Sequence, residues 1–150
     1  MSSFEIIGGQ PLSGEITPQG AKNEALQVIC ATLLTDEEVI INNVPNIRDV
    51  NKLIELLEYL GVTINKLGKE SYSFQANRVD ISRIYTERYS QMAASLRGSI
   101  MLVGPMLARF KEAYIPTPGG DKIGRRRLDT HFTGFEKLGA SFNYNFDTKA

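Results

Sequence analysis

Two stretches of this chain carry the same pattern, and a repeated pattern limits the possible folds more tightly than composition does. The first runs from Gly20 to about Phe74 and the second from about Ala94 to Phe146. Each opens with apolar residues at helical spacing: Leu26, Ile29, Leu33 and Leu34 in one, Ile100, Val103 and Leu107 in the other. A short strand candidate follows, Val39-Ile40-Ile41 or Ala113-Tyr114-Ile115. Then comes an amphipathic helix. Val50, Ile54, Leu57 and Leu60 lead to Gly61; Leu128, Phe132, Phe135 and Leu138 lead to Gly139. The apolar spacing is identical in both copies and places these side chains on one helical face. A glycine just after each helix predicts a left-handed C-cap. Val62-Thr63-Ile64 and Ala140-Ser141-Phe142 read as closing strands. The expectation is an α/β protein built from βαβ-type units over about 20–80 and 92–150.

The totals agree with a globular chain. Of 150 residues, 42% are apolar and 23% charged, which excludes a disordered chain. Seventeen basic and seventeen acidic residues cancel, so bulk charge favours neither nucleic acid nor an anionic membrane. One cysteine, Cys30, allows no internal disulfide, and one histidine beside it makes a zinc site unexpected. The start, MSSFEIIGGQPLSG, lacks the basic and long apolar regions of a secretory signal, and the longest apolar stretch is too short to span a bilayer. A cytoplasmic location, no membrane partner, no metal and no cofactor are expected. Neither a P-loop nor a dinucleotide fingerprint is present.

The copies diverge at one place. Asn23 corresponds to Arg97 and Glu38 to Glu112 at an offset of 74, whereas Val50 to Leu128 and Gly61 to Gly139 run at 78. The four added residues fall in PGGDKIGRRRLDTH, Pro118 to His131. Such an insertion is either a tolerated surface loop or the place where the second copy acquired a function. Glycines and prolines give the loop its hinges, as in a lid that closes over a ligand. Asp121 stands there among Lys122, Arg125, Arg126 and Arg127. It is a candidate proton donor if desolvation and a bound anion offset those cations, and otherwise a local cap or ion-pair partner. Asp129 suits the positive end of the helix that follows. His131 shares the face of Leu128 and Phe135, where a histidine is more often packed and hydrogen-bonded than catalytic.

Lys22 and Asn23 lie at the start of the first repeat's first helix, and Arg97 occupies nearly the same place in the second. Cations at equivalent helix starts point to a doubly charged ligand such as a phosphate ester or carboxylate.

GAKNEAL, NVPNIRDV, LRGSI, PGGDKIGRRRLDTH and GFEKLGA, in this order, resemble the N-terminal part of the UDP-N-acetylglucosamine 1-carboxyvinyltransferases, which are enolpyruvyl transferases. The resemblance covers nearly the whole chain. It implies transfer of the enolpyruvyl group of phosphoenolpyruvate to the 3′-hydroxyl of the nucleotide sugar, with release of phosphate, at the start of peptidoglycan synthesis. It also implies an inside-out α/β barrel lobe of three units, two of them present here. Residues 22–150 would be the incomplete first lobe, and residues 1–21 would pair with a second lobe beyond this chain. Lys22 and Asn23 match the phosphoenolpyruvate contacts, with Lys22 also catalytic, and Arg97 matches a substrate-site arginine. Arg126, Arg127, Leu128, Asp129 and Thr130 match the segment on the UDP-sugar, and His131 a supporting histidine. Asp121 stands where most of these proteins carry the proton-donating cysteine that fosfomycin alkylates, which implies an insensitive enzyme. Met101 replaces an aromatic found in some relatives. The resemblance further implies that this piece alone is inactive and leaves apolar faces that favour self-association. Two other readings remain open at this stage: a non-catalytic sugar-nucleotide-binding regulatory module, or an RNA-binding α/β domain using Lys122 to Arg127, for which no aromatic stacking platform is evident.

Overall fold

Helix α2 (Arg48–Leu60) organises the first repeat. Val50, Leu53, Leu56, Leu57 and Leu60 are fully buried along it, and Ile54 nearly so. At about 1.5–3 kcal/mol per buried aliphatic side chain, this one face is a leading source of stability. It packs on α1 (Lys22–Ala31), which contributes Ala25, Leu26, Ile29 and Cys30 to the same core. The computed structural model describes residues 3–117, 119 and 128–144.

A three-stranded antiparallel sheet covers the other side. Strands β1 (Glu38–Ile41) and β2 (Thr63–Lys66) flank α2 in sequence but do not pair with each other. Each bonds to β3 (Tyr72–Gln75), which lies between them. Val39 and Ile64 both stand opposite Phe74, a fully buried side chain in the middle of this row. The expected βαβ unit is therefore a split one, with an antiparallel strand inserted. The sequence reading missed β3 as a strand, since four residues offer little periodicity and only pairing from both sides stabilises them.

The chain continues through a 3-10 turn (Ile81–Tyr85) into α3 (Glu87–Ala94), whose first turn is capped by the Thr86 hydroxyl accepting from the Tyr89 N–H. The second repeat then starts with a 3-10 segment (Arg97–Leu102) before α4 (Val103–Phe110). Pro105 explains the break: lacking an N–H, it cannot donate to the carbonyl of Met101. Arg109 ties the two repeats together by donating to the carbonyls of Leu33 at 3.0 Å and Thr35 at 2.8 Å, beyond the end of α1.

Helix α5 (Asp129–Lys137) matches α2 in sequence spacing but not in burial: no residue of α5 is buried. Phe132 stacks edge-on against Phe142 with ring centroids 5.0 Å apart, while Leu138 is 85% exposed. The strands expected at 113–115 and 140–142 are irregular backbone instead. In the first repeat both outer strands depend on β3, which begins eleven residues after Gly61. Among the described residues no strand pairs with either of these two segments.

What the repeats do share is the helix ending. Gly61 (φ 100°) donates to Glu58 O and Val62 to Leu57 O, both at 3.0 Å. Gly139 (φ 94°) donates to Glu136 O at 2.9 Å and Ala140 to Phe135 O at 3.0 Å. This is the same double-bonded left-handed cap at the expected offset. The surroundings differ. A Cβ on Gly61 would meet the Arg78 carbonyl oxygen at 2.5 Å, whereas nothing lies within 4 Å of one on Gly139. Gly139→Ala should therefore cost only the backbone term, about 1–2 kcal/mol, and Gly61→Ala at least about 1 kcal/mol more. Urea unfolding midpoints measure this, and equal losses would contradict it.

Candidate functional site

Lys22 is the first residue of α1, and Arg97 is the first residue of the 3-10 segment that opens the second repeat. The two elements touch. Leu26, one turn after Lys22, lies against Gly98, where an added Cβ would stand 3.0 Å from the leucine Cδ1. A side chain at 98 would require the Leu26 side chain to give by a few tenths of an ångström. The contact thus joins the first turn of the 3-10 segment to α1 one helical turn beyond Lys22.

Neither helix start uses a side-chain cap. Ala21 precedes α1 and Leu96 precedes the 3-10 segment, so the first-turn N–H groups are not satisfied by a capping side chain. Such a start, carrying a cation, favours an anion. Asn23 is exposed beside Lys22. The Lys22 ammonium reaches back to Asp49 Oδ2 at 3.0 Å. Lys52 Nζ donates to Ser95 O at 3.2 Å and so braces the turn just before Arg97. Sequence reasoning assigned no role to Asp49 or Lys52, because each partner lies far away in the chain.

Two glycines close the backbone around these starts. A Cβ on Gly20 would overlap the Asn43 carbonyl oxygen, and one on Gly119 would overlap that of Ala94. Gly20 corresponds to Ala94 at the offset of 74, so in both repeats the segment before the first helix touches the loop after the first strand or its counterpart. Gly119 thereby anchors the base of the glycine-rich loop next to the turn that carries Arg97. Asp121, Lys122, Arg125, Arg126 and Arg127 lie outside the described residues. Leu128 is half-buried, and Asp129 and Thr130 are exposed in or beside the first turn of α5. His131 is exposed rather than packed, because the α5 face that would hold it is itself uncovered.

A cavity of about 530 Å³ lies between α4, residues 113–117, α5 and residues 140–144. Val103, Leu107, Ile115 and Phe132 line it; among the described residues its one carboxylate is Glu136, and none of its lining residues is a lysine, arginine or histidine. The described part of that lining suits apolar packing. The anion-binding chemistry sits at the helix starts instead. Among the described residues no cluster of His, Cys, Asp and Glu is arranged to hold a metal, and no helix is long and apolar enough to cross a membrane.

The fold defines a mixed α/β chain with a small antiparallel sheet, and its site presents cations at paired helix starts. The chain belongs to the EPSP synthase (3-phosphoshikimate 1-carboxyvinyltransferase) family, whose sequence profile matches residues 6–150. Among curated proteins it is 61% identical over 145 residues to a UDP-N-acetylglucosamine 1-carboxyvinyltransferase of Bacteroides fragilis, covering 97% of this chain and 33% of that protein. It is 52% identical over 150 residues to the protein of that name from Porphyromonas gingivalis, covering 100% of this chain and 35% of that one. With the Treponema denticola protein of the same name the identity is 42% over 140 residues, 93% of this chain and 32% of that one. The chain spans about a third of the length of these relatives.

Cys30 offers no nucleophile at this site. It is buried in α1, and burial pushes its thiol up to about 12. An unfolded thiol ionises near roughly 8.5. Its contribution to stability is therefore complete below about pH 8.5 and is lost as pH rises toward 12, at about 1.4 kcal/mol per unit. The native chain should resist a thiol reagent at pH 8 and react in urea. Cys30→Ala should flatten the fall in unfolding midpoint above about pH 9; an unchanged alkaline slope would refute the assignment.

Proposed function

We propose that this chain is the N-terminal part of an enzyme that transfers the enolpyruvyl group of phosphoenolpyruvate to the 3′-hydroxyl of UDP-N-acetylglucosamine and releases phosphate. It would act in the cytoplasm at the start of peptidoglycan synthesis. The presence of Lys22 and Arg97 as first residues of two elements in contact supports this reading, together with the identity to relatives bearing that enzyme's name. Lys22 and Asn23 would hold the phosphate and carboxylate of phosphoenolpyruvate, with α1 adding its N–H groups. Arg97 would complete the charge on the substrate side.

The reaction needs a proton on the enol carbon. Protonation there leaves the neighbouring carbon electrophilic, and the sugar hydroxyl adds to it to give a tetrahedral ketal. Loss of a proton from the former enol carbon and of phosphate from the ketal carbon regenerates the double bond in the product. Asp121 is the donor in this scheme. Closure of its loop would desolvate the carboxyl and so raise its pKa toward the working range. Arg126 to Thr130 would contact the UDP-sugar, and His131, exposed at the start of α5, would support that segment. The base that takes the hydroxyl proton lies in a further part of the enzyme.

Residues 3–20 have no regular structure, and Phe4, Ile6, Ile7, Leu12 and Ile16 are each more than four-fifths exposed. An apolar, extended segment of this kind is suited to pairing with a second lobe, with residues 22–150 forming part of an inside-out α/β barrel lobe. Alone, the chain would lack the opposing wall, give no turnover, and tend to self-associate through its uncovered apolar faces.

Asp121 and fosfomycin provide the test. In the full-length gene product, Asp121→Asn should lower phosphate release by about 10²- to 10⁴-fold. The unaltered enzyme should show no time-dependent inactivation by fosfomycin, since a carboxylate is a much poorer nucleophile than a thiolate. Asp121→Cys should acquire that inactivation. Unchanged turnover in Asp121→Asn, or progressive loss of activity in the unaltered enzyme, would overturn the assignment.

A further inference from the structure

We infer that Asp49 is a positioning residue for Lys22, holding its ammonium at the start of α1 where the phosphate of phosphoenolpyruvate is received. This rests on the assignment of Lys22 to that substrate. Asp49 is the second residue of α2, and its Oδ2 lies 3.0 Å from Lys22 Nζ, the two residues being 27 apart in sequence. A carboxylate in the first turn of α2 is favoured by that helix's positive end. The ammonium is in the opposite situation, because the positive end of α1 repels it. A free lysine side chain at that place would swing outward and sample many rotamers.

Asp49 removes that freedom by supplying the opposite charge from a helix rigidly packed on α1. Two neighbours of Asp49 make the anchor firm. Val50 is fully buried in the core, and the Asn51 side chain donates to Asn46 Oδ1 at 2.9 Å across the α2 start. The pair itself is close to half exposed, 43% at Lys22 and 42% at Asp49. An ion pair so exposed contributes little to fold stability. Its consequence lies in where the Lys22 charge stands before the ligand arrives, and pre-placed charge is what a small, highly charged substrate rewards.

Steady-state kinetics of the full-length gene product with separate titration of each substrate test this. Asp49→Asn should lower kcat/KM for phosphoenolpyruvate about tenfold while KM for UDP-N-acetylglucosamine changes less than about twofold. The thermal midpoint should move by less than about 2 °C. Asp49→Glu, which keeps the charge, should recover activity to within about threefold. In a Lys22→Ala background, Asp49→Asn should produce no further loss, because both changes remove the same placed charge. The inference is overturned if Asp49→Asn leaves phosphoenolpyruvate kinetics unchanged while Lys22→Ala impairs them. It is also overturned if the two losses multiply, or if Asp49→Asn lowers the thermal midpoint and affects both substrates alike. If Lys22→Ala itself leaves phosphoenolpyruvate kinetics intact, the assignment of Lys22 fails first and Asp49 falls with it.

Discussion

Burial of the α2 face holds the rest of the structure in place. Leu53, Leu56, Leu57 and Leu60 are excluded from water by α1, the sheet and the segments that follow. Because α2 is clamped on its long axis, both of its ends become fixed reference points. At its C-terminus the Gly61 cap turns the chain back into β2. At its N-terminus Asp49 reaches Lys22, so the same helix that builds the core also locates a charge on the surface. Placement of a long, flexible side chain to within a hydrogen bond requires that kind of backing.

The second repeat shows what happens when the same sequence pattern is not fully covered. Helix α5 has the spacing and the cap of α2, yet Leu138 stays exposed and a cavity of about 530 Å³ opens beneath α4 and residues 113–117. Tyr89 compensates in part. Its hydroxyl is buried and donates to Tyr114 O at 2.9 Å, fastening the 113–117 segment to α3, and burial raises its ionisation well above the usual tyrosine range. Nearby, the Tyr85 hydroxyl donates to Glu112 Oε2 at 2.9 Å, which likewise raises its ionisation. These two bonds stand in for the ladder that a sheet would provide.

The elements that begin with Lys22 and Arg97 meet at Gly98. Leu26 of α1 lies against Gly98, where an added Cβ would stand 3.0 Å from the leucine Cδ1. Gly20 and Gly119 repeat that logic on the backbone, each lying against a carbonyl where any side chain would intrude. Small residues thus mark the seams of this molecule, and the cations stand beside the seams. The cavity between α4, residues 113–117, α5 and residues 140–144 is lined mostly by apolar side chains among the described residues.

Helix phase and helix ends were legible in the sequence, because each depends on residues within a few positions of one another. The Leu-Gly endings at Gly61 and Gly139 adopt the caps their spacing predicts, and Lys22 and Arg97 open helices as expected. The middle strand β3, the ion pair from Lys22 to Asp49 and the exposure of His131 were not legible. A four-residue strand is stabilised by pairing partners supplied from both sides. The salt bridge joins residues 27 apart, and the state of His131 follows from whether anything covers α5. Local backbone preference and periodicity are written into neighbouring residues, whereas burial and charge placement depend on what the rest of the chain brings near. The sequence by itself therefore determined where α1, α2 and α5 lie and how α2 and α5 end. Only the tertiary structure decided which faces are covered and which charges meet.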